Sequence, residues 1–188
     1  MFDYALDIPY IDAYNARRKP TSPTLLQTHM GPAPYDGDPC TASVVLLMNN
    51  PGYDPATSTA VDHALRFEGW PTAGLHPSVP STFRKWYDRP LGYLLTKWGH
   101  QHVSQRVCLL QLCPWASTSF DIDLILPSRS YQMSLAYDAR KRGAIVIVGR
   151  SSRLWPSEWP RASNVRNPRL TPSSLDPQTW ASVEAAMA

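Results

Sequence analysis

Three short apolar runs stand out from an otherwise mixed pattern of hydrophobic and polar positions. The first, Ala42-Ser43-Val44-Val45-Leu46-Leu47-Met48, ends abruptly at Asn49-Asn50-Pro51-Gly52, a sequence that stops a strand and turns the chain. The second, Val107-Cys108-Leu109-Leu110-Gln111-Leu112-Cys113, is closed by Pro114, and the third, Ala144-Ile145-Val146-Ile147-Val148, by Gly149-Arg150. Continuous apolar runs of this length fit strands buried on both faces, as in a parallel sheet. Helical patterns separate them. Phe83 to Trp98 carries apolar residues at helical spacing, with Pro90 expected to split it. Ser128 to Arg142 places Tyr131, Leu135 and Ala139 on one face, with a basic last turn and Gly143 in the stop position. Asp176 and Pro177 open a last helix through Trp180 to Ala186.

This alternation predicts one α/β domain over residues 1–188, a three-layer α/β/α fold around a short, mostly parallel sheet. Residues 1–40 show little periodicity beyond a short helix near Asp12–Arg18 and read as an N-terminal arm packed on the core. In such folds a ligand binds at the carboxyl ends of the strands. The site is therefore expected at Asn49–Asp54, Gln111–Ser117 and Gly149–Arg153.

Composition narrows the class. With 43% hydrophobic and 18% charged residues in 188, the chain can bury a core. Nineteen prolines, about twice the usual share, call for long shaped loops, and seven tryptophans are more than one small core is expected to hide. No stretch approaches a membrane span, and Met1-Phe2-Asp3-Tyr4 does not begin a signal peptide. Cys40, Cys108 and Cys113 make neither a disulfide framework nor a zinc or iron–sulfur spacing. The expectation is a cytoplasmic, reduced protein without metal or cofactor, with a monomer favoured. His100-x-His102 reads as surface loop before a strand.

The net charge of +3 conceals an asymmetry. Residues 129–170 hold nine lysines and arginines against two acidic residues, a local excess of +7. Such a block is either a footprint for a polyanion or a solvated basic face.

The chain has no phosphate-binding Gly-x-x-x-x-Gly-Lys loop, no dinucleotide Gly-x-Gly-x-x-Gly and no Gly-x-Ser-x-Gly elbow. What it does have, in order, is Asp38-Pro39-Cys40 leading through the first run into Asn49-Asn50-Pro51-Gly52, then Gln111-Leu112-Cys113-Pro114, then Asn167-Pro168-Arg169-Leu170-Thr171-Pro172-Ser173-Ser174-Leu175. These three segments resemble the motifs of the uracil-DNA glycosylase superfamily. The first is most similar to the mismatch-specific and thymine-DNA glycosylase branch, whose strand ends in Gly-Ile-Asn-Pro-Gly. The order of motifs, from Pro34-Tyr35 to the C-terminal helix, also resembles a divergent bacterial and phage group of that superfamily.

The resemblance implies a uracil-DNA-glycosylase-like fold and a monofunctional DNA glycosylase. Such an enzyme flips a damaged, mismatched or modified base out of the stack and hydrolyses its N-glycosidic bond. Asn50 takes the place that positions the attacking water. Asp54, the nearest carboxylate, is either a general base or an ion-pair partner of the basic block. Gly52 stands where some members carry a tyrosine that bars bulky 5-substituents, so a roomier base pocket is expected, lined by Pro51, Gly52 and Tyr53. The base-stacking aromatic falls near His63 or Phe67, thirteen and seventeen residues after Asn50; of the two Phe67 is favoured, and it either stacks on the base or packs in the core.

Gln111, a polar residue inside an apolar strand, needs a hydrogen-bond partner. It becomes either the base reader, where relatives use asparagine, or a buried amide tying backbone. Pro114 and Trp115 either line the pocket mouth or pack. Thr171 stands where some members place a histidine. Thr171, Pro172, Ser173 and Ser174 then form a phosphate-gripping loop, flanked by Arg166, Asn167 and Arg169, with Arg150 and Arg153 on the neighbouring loop. Leu170 or Leu175 is the wedge that fills the vacated stack, or a core leucine. No lysine adjoins the three loops, so no Schiff-base lyase step is expected. The expected partner is DNA. The alternative is a nucleic-acid-binding sensor of the same fold that has lost catalysis.

Overall fold

The computed structural model describes residues 2–56, 58–59, 64–164 and 166–188. All three apolar runs form strands, each trimmed to its interior: β2 Val44–Met48, β3 Val107–Gln111 and β4 Ile145–Val148. Every residue of β2 and β3 is buried. The sequence pattern did not reveal the fourth strand, β1, only two residues long at Tyr35–Asp36. The sheet order is β1-β3-β2-β4. β2 runs parallel to both β3 and β4, whereas β1 is antiparallel to β3, with Tyr35 opposite Leu110 and Asp36 opposite Leu109.

Alternation along the strands divides the core between two faces. Val44, Leu46 and Met48 of β2 and Leu109 of β3 pack against three helices: α2 (Ser81–Trp98), α3 (His100–Arg106) and α5 (Pro177–Met187). Val45, Leu47, Cys108 and Leu110 face α4 (Ser128–Lys141) and a pair of stacked tryptophans, Trp155 and Trp159. The result is a mixed α/β architecture with helices on both faces of a four-stranded sheet, compatible with three α/β/α layers. The N-terminal arm carries α1 (Ile8–Asn15), earlier in the chain than its pattern predicted, and builds a third, smaller core with Cys113 and Trp115. Among the described residues no helix is long and apolar enough to cross a membrane.

Pro90 does not split the helix. α2 is continuous through it, because Tyr87, Leu91, Leu94 and Leu95 bury one face of the helix. Each such side chain contributes about 1.5–3 kcal/mol of burial, which together outweighs the ~3 kcal/mol cost of an interior proline. The carbonyl of Pro90 also accepts a hydrogen bond from Leu170 N at 2.9 Å, pinning the C-terminal loop to this helix. His100 and His102 begin helix α3 rather than a loop, and His102 Nε2 meets the carbonyl of Met187 at 2.6 Å.

Gly37 follows β1 with φ +108°, and a Cβ there would stand 2.7 Å from the Cα of Cys108. Gly143 has φ +96°, and a Cβ there would meet nothing within 4 Å. Gly37→Ala is therefore expected to cost about 2–4 kcal/mol, strain plus clash. Gly143→Ala should cost about 1–2 kcal/mol, from strain alone. Urea denaturation of both variants checks the difference.

Candidate functional site

Beyond β2 and β3 the two chain segments stay hydrogen-bonded to each other. Leu112 N donates to Met48 O at 3.1 Å and Cys113 N to Asn49 O at 2.8 Å, while Ser117 N reaches Pro51 O at 3.3 Å and Tyr53 N reaches Ser117 O at 3.2 Å. The turn after β2 is thus held over the end of β3. Asn50 is a clamp within it. Its Nδ2 donates to Ser117 Oγ at 2.8 Å and to Pro51 O at 3.0 Å. Asn49 is held from the other side, its Oδ1 accepting from Ser151 Oγ at 2.5 Å.

Against this turn lies a cavity of about 510 Å³, within the size range of small-molecule sites. Of the three expected strand-end segments, the first contributes Pro51, Gly52, Tyr53 and Asp54 to its lining and the second Gln111, whereas Asn50 sits behind the lining and no residue of Gly149–Arg153 reaches it. Gly52 keeps it open: a Cβ there would meet only Trp86 Nε1, at 3.9 Å. Gln111 is 4% exposed, and its Oε1 is buried with no hydrogen-bond partner. An unpaired buried acceptor costs about 1–3 kcal/mol, so it marks a place where a donor belongs.

Helix α2 supplies the opposite wall, with Phe83, Lys85, Trp86, Tyr87 and Arg89. None of these stands out in the sequence, and none adjoins a recognisable motif. The floor is Asp36. Its carboxylate accepts a hydrogen bond from Tyr87 Oη, which Gly74 allows: a Cβ at Gly74 would fall on the tyrosine ring. Burial pushes the Asp36 carboxyl up to about 6, against the opposing pull of Tyr87, of the Ala73 N–H and of Arg66. Burial also raises Cys108, and Cys113 to about 12, so neither is poised as a thiolate.

Other expected residues lie elsewhere. Phe67 does not line the cavity but stacks on His76, ring centroids 3.9 Å apart; His63 lies outside the described residues. Pro114 is buried and accepts from Ala33 N at 2.8 Å. Trp115 packs under the N-terminal arm, donating Nε1 to Asp7 at 2.8 Å, so it belongs to the arm's core and not to the pocket mouth. Leu170 and Leu175 are core residues beneath the sheet, which leaves neither as a wedge. Asp54 sits exposed at the cavity mouth, its Oδ1 accepting from Ala56 N at 3.0 Å.

The basic block does not form one face. Arg142 bonds the carbonyls of Pro39 and Ala42 at the far end of β2, Arg161 bonds three carbonyls of its own loop, Arg129 caps Leu124 O, and Arg140 lies over Trp159. Arg150, Arg153, Arg166 and Arg169 remain on the C-terminal loops, the last three exposed. Arg150 is part-buried, and burial together with the nearby Arg89 holds it below its ordinary range. Arg89 in turn reaches Asn167 Oδ1 at 3.5 Å. The loop itself is rigidified from within: Thr171 N and Oγ1 donate to Ser174 Oγ, while Pro172 and Ser173 stay exposed.

No family model, no curated protein and no solved structure matches the chain. Among the described residues no cluster of His, Cys, Asp or Glu is arranged to hold a metal ion.

A carboxyl raised from 3.8 to about 6 binds a proton in the folded state that the unfolded state has already lost. Stability is then greatest below about pH 4 as far as this group is concerned, and falls as pH rises through 6. Asp36→Asn keeps an acceptor for Tyr87 and removes this penalty. It should raise stability at pH 7 by on the order of 1–3 kcal/mol and flatten the profile between pH 4 and 6, as read by urea denaturation across that range.

Proposed function

We propose that the protein is a monofunctional DNA glycosylase that draws a damaged, mismatched or modified base into the 510 Å³ cavity and hydrolyses its N-glycosidic bond. The observation that carries this reading is the cavity itself. It sits at the carboxyl ends of β2 and β3, has flat aromatic walls in Phe83 and Trp86, is lined by Gln111, whose amide oxygen is buried and unpaired among the described residues, and is edged by arginines. A flipped base needs those features: apolar faces to replace lost stacking, polar groups for its edge, and cations for the flanking phosphates. The motif resemblance to the uracil-DNA glycosylase superfamily, which implies a fold of that kind, points the same way.

In this reading the clamp on Asn50 Nδ2 fixes the amide, and its Oδ1, which accepts no hydrogen bond among the described residues, is the atom that orients water. Asp54 at the mouth takes the proton. Arg89 and Arg150, with Asn167 between the loops, contact backbone phosphates. One observation favours a second reading. The same clamp makes Asn50 a structural residue of the turn, which suits a base-flipping sensor without catalysis. Lys85 on the cavity wall is an amine that could convert hydrolysis into a lyase step.

Single-turnover incubation with oligonucleotides carrying uracil, mismatched thymine, hypoxanthine and 5-substituted pyrimidines, developed with and without alkali, tests the reading. Alkali-dependent breaks at one base are expected, lost at least 100-fold in Asn50→Ala and in Gly52→Tyr, whose side chain fills the space before Trp86. Breaks without alkali would instead assign Lys85 a Schiff base. Binding without breaks would select the sensor.

Duplex affinity should fall with salt, and Arg89→Ala or Arg150→Ala should each lower the slope of log K against log salt by about 1. Fluorescence anisotropy between 50 and 200 mM salt reads this. Unchanged slopes would remove both arginines from the phosphate path.

A further inference from the structure

The base edge that this cavity accepts follows from two side chains that share one face of the sheet. Asp36 on β1 lies opposite Leu109 of β3, so Gln111, two residues further along, is its diagonal neighbour on the same face. The Gln111 N–H donates to Pro34 O at 2.9 Å, which continues that register. Diagonal neighbours on an antiparallel pair are about 7–8 Å apart at the backbone, a gap that an aspartate and a glutamine can converge to close. Both line the cavity on the side facing α2.

Each brings acceptor capacity that the protein leaves unused. A carboxylate offers about four lone-pair sites. Tyr87 Oη and the Ala73 N–H account for two at Asp36. Gln111 Oε1 is buried and has no partner among the described residues, so the amide turns to present it to a ligand. The amide can turn either end toward a ligand, but an ionised carboxylate only accepts, so Asp36 sets the sign of the site. We propose that Asp36 and Gln111 form a floor for an exocyclic amine, and that the cavity takes a nucleobase bearing an amino group in preference to its oxo counterpart.

An amine has two hydrogens for these two acceptors, and the ring nitrogen beside it can accept from Gln111 Nε2. An oxo base answers only one of the two acceptors, with its ring N–H, and sets its carbonyl oxygen against the carboxylate, a repulsion of the kind that discriminates between ligands. Size adds a second condition. A pyrimidine has eight or nine heavy atoms, and even at the ~30 Å³ a water takes in the liquid it would fill about half of the 510 Å³. The open position at Gly52 leaves room for a substituent on the ring. The inference rests on the cavity being a base pocket, as proposed above, and not on the bond being cut.

The test therefore reads binding and excision separately. The probes are the nucleosides 5-hydroxymethyl-2′-deoxycytidine and 5-hydroxymethyl-2′-deoxyuridine, which differ in the amino or oxo group at position 4 and in the N3 beside it, bare in the first and protonated in the second. Binding is followed at pH 7.5 by quenching of Trp86, with Trp86→Phe identifying its signal, and excision by single-turnover cleavage of oligonucleotides carrying each base. Preference for the amino compound by about tenfold or more is expected, the size of one hydrogen bond to a charged group. In Asp36→Asn, whose amide can also donate, the preference should shrink to within about threefold. Gln111→Leu should weaken the amino compound more than the oxo one, a check independent of the first variant. Circular dichroism confirms that each variant is folded.

Equal binding of the pair, a preference for the oxo compound, or a preference that survives Asp36→Asn would overturn the proposal. Amino-selective binding without excision would uphold it while removing the glycosylase activity. Excision confined to the oxo base would do the reverse. Failure of both nucleosides to bind, with neither base excised, would overturn both.

Discussion

Buried backbone groups must find partners, and that requirement organises the sheet's functional end. β2 is covered on both faces and flanked on both edges, so its carbonyls have no access to water. Leu47 O takes the N–H groups of both Gly149 and Arg150, and Met48 O and Asn49 O take those of Leu112 and Cys113. Three chain segments that leave the sheet are thereby stitched together before they diverge. Asn50 and Ser117 continue the stitching with side chains. The turn that forms one wall of the cavity is rigid because the ladder runs on past the strands, not because of its own turn residues alone.

Several features that cost stability lie at this end, although buried unpaired atoms also occur on Ser128, Gln132 and Trp155 on the α4 side of the sheet. Asp36 is held where burial disfavours its charge, Gln111 keeps an amide oxygen unpaired, and Arg150 is part-buried beside another cation. None of these helps the chain fold; a core of this size would be more stable with apolar residues in their place. The opposite end of the sheet is different in kind. There Arg142 spends its charge on the carbonyls of Pro39 and Ala42, and Gly37 closes against Cys108. Perturbed, incompletely satisfied groups gathered around one concave space are what a binding site requires of a scaffold.

Helix α2 joins the two halves of the site. Its inner face packs on the sheet through Tyr87, Leu91 and Leu94, its N-terminal half walls the cavity, and Arg89 turns toward Arg150 and Asn167. The hydrogen bond from Leu170 to the carbonyl of Pro90 locks the C-terminal loop to the same helix. In the proposed reading, a base in the cavity and phosphates on that loop would be gripped by one rigid element, and helix geometry would set the spacing between them.

The local signals in the chain were sufficient for much of this. Apolar runs fully buried on two sides have one structural solution, so β2, β3 and β4 and their parallel pairing were legible, as was a cavity at the ends of β2 and β3, though the expected share of the loop after β4 in it was not found. The helix capped by Asp176 was legible too, because a side-chain cap is a short-range hydrogen bond, and so was the end of α4 at Gly143, whose φ is +96°. So was Gln111, an amide where only apolar residues belong. Tertiary contacts decided the remainder. Two residues of β1 are strand only because β3 offers an edge, and Pro90 stays within α2 only because burial outweighs its missing bond. Asp36, Tyr87 and Trp86 carry no motif and meet across distant segments, whereas Phe67, Trp115 and Leu170 had plausible spacing and pack elsewhere. The basic block was one feature in sequence and is several in space, since which carbonyl an arginine finds depends on what folds beside it. Periodicity and capping are properties of neighbours along the chain; a cavity is a property of neighbours across it.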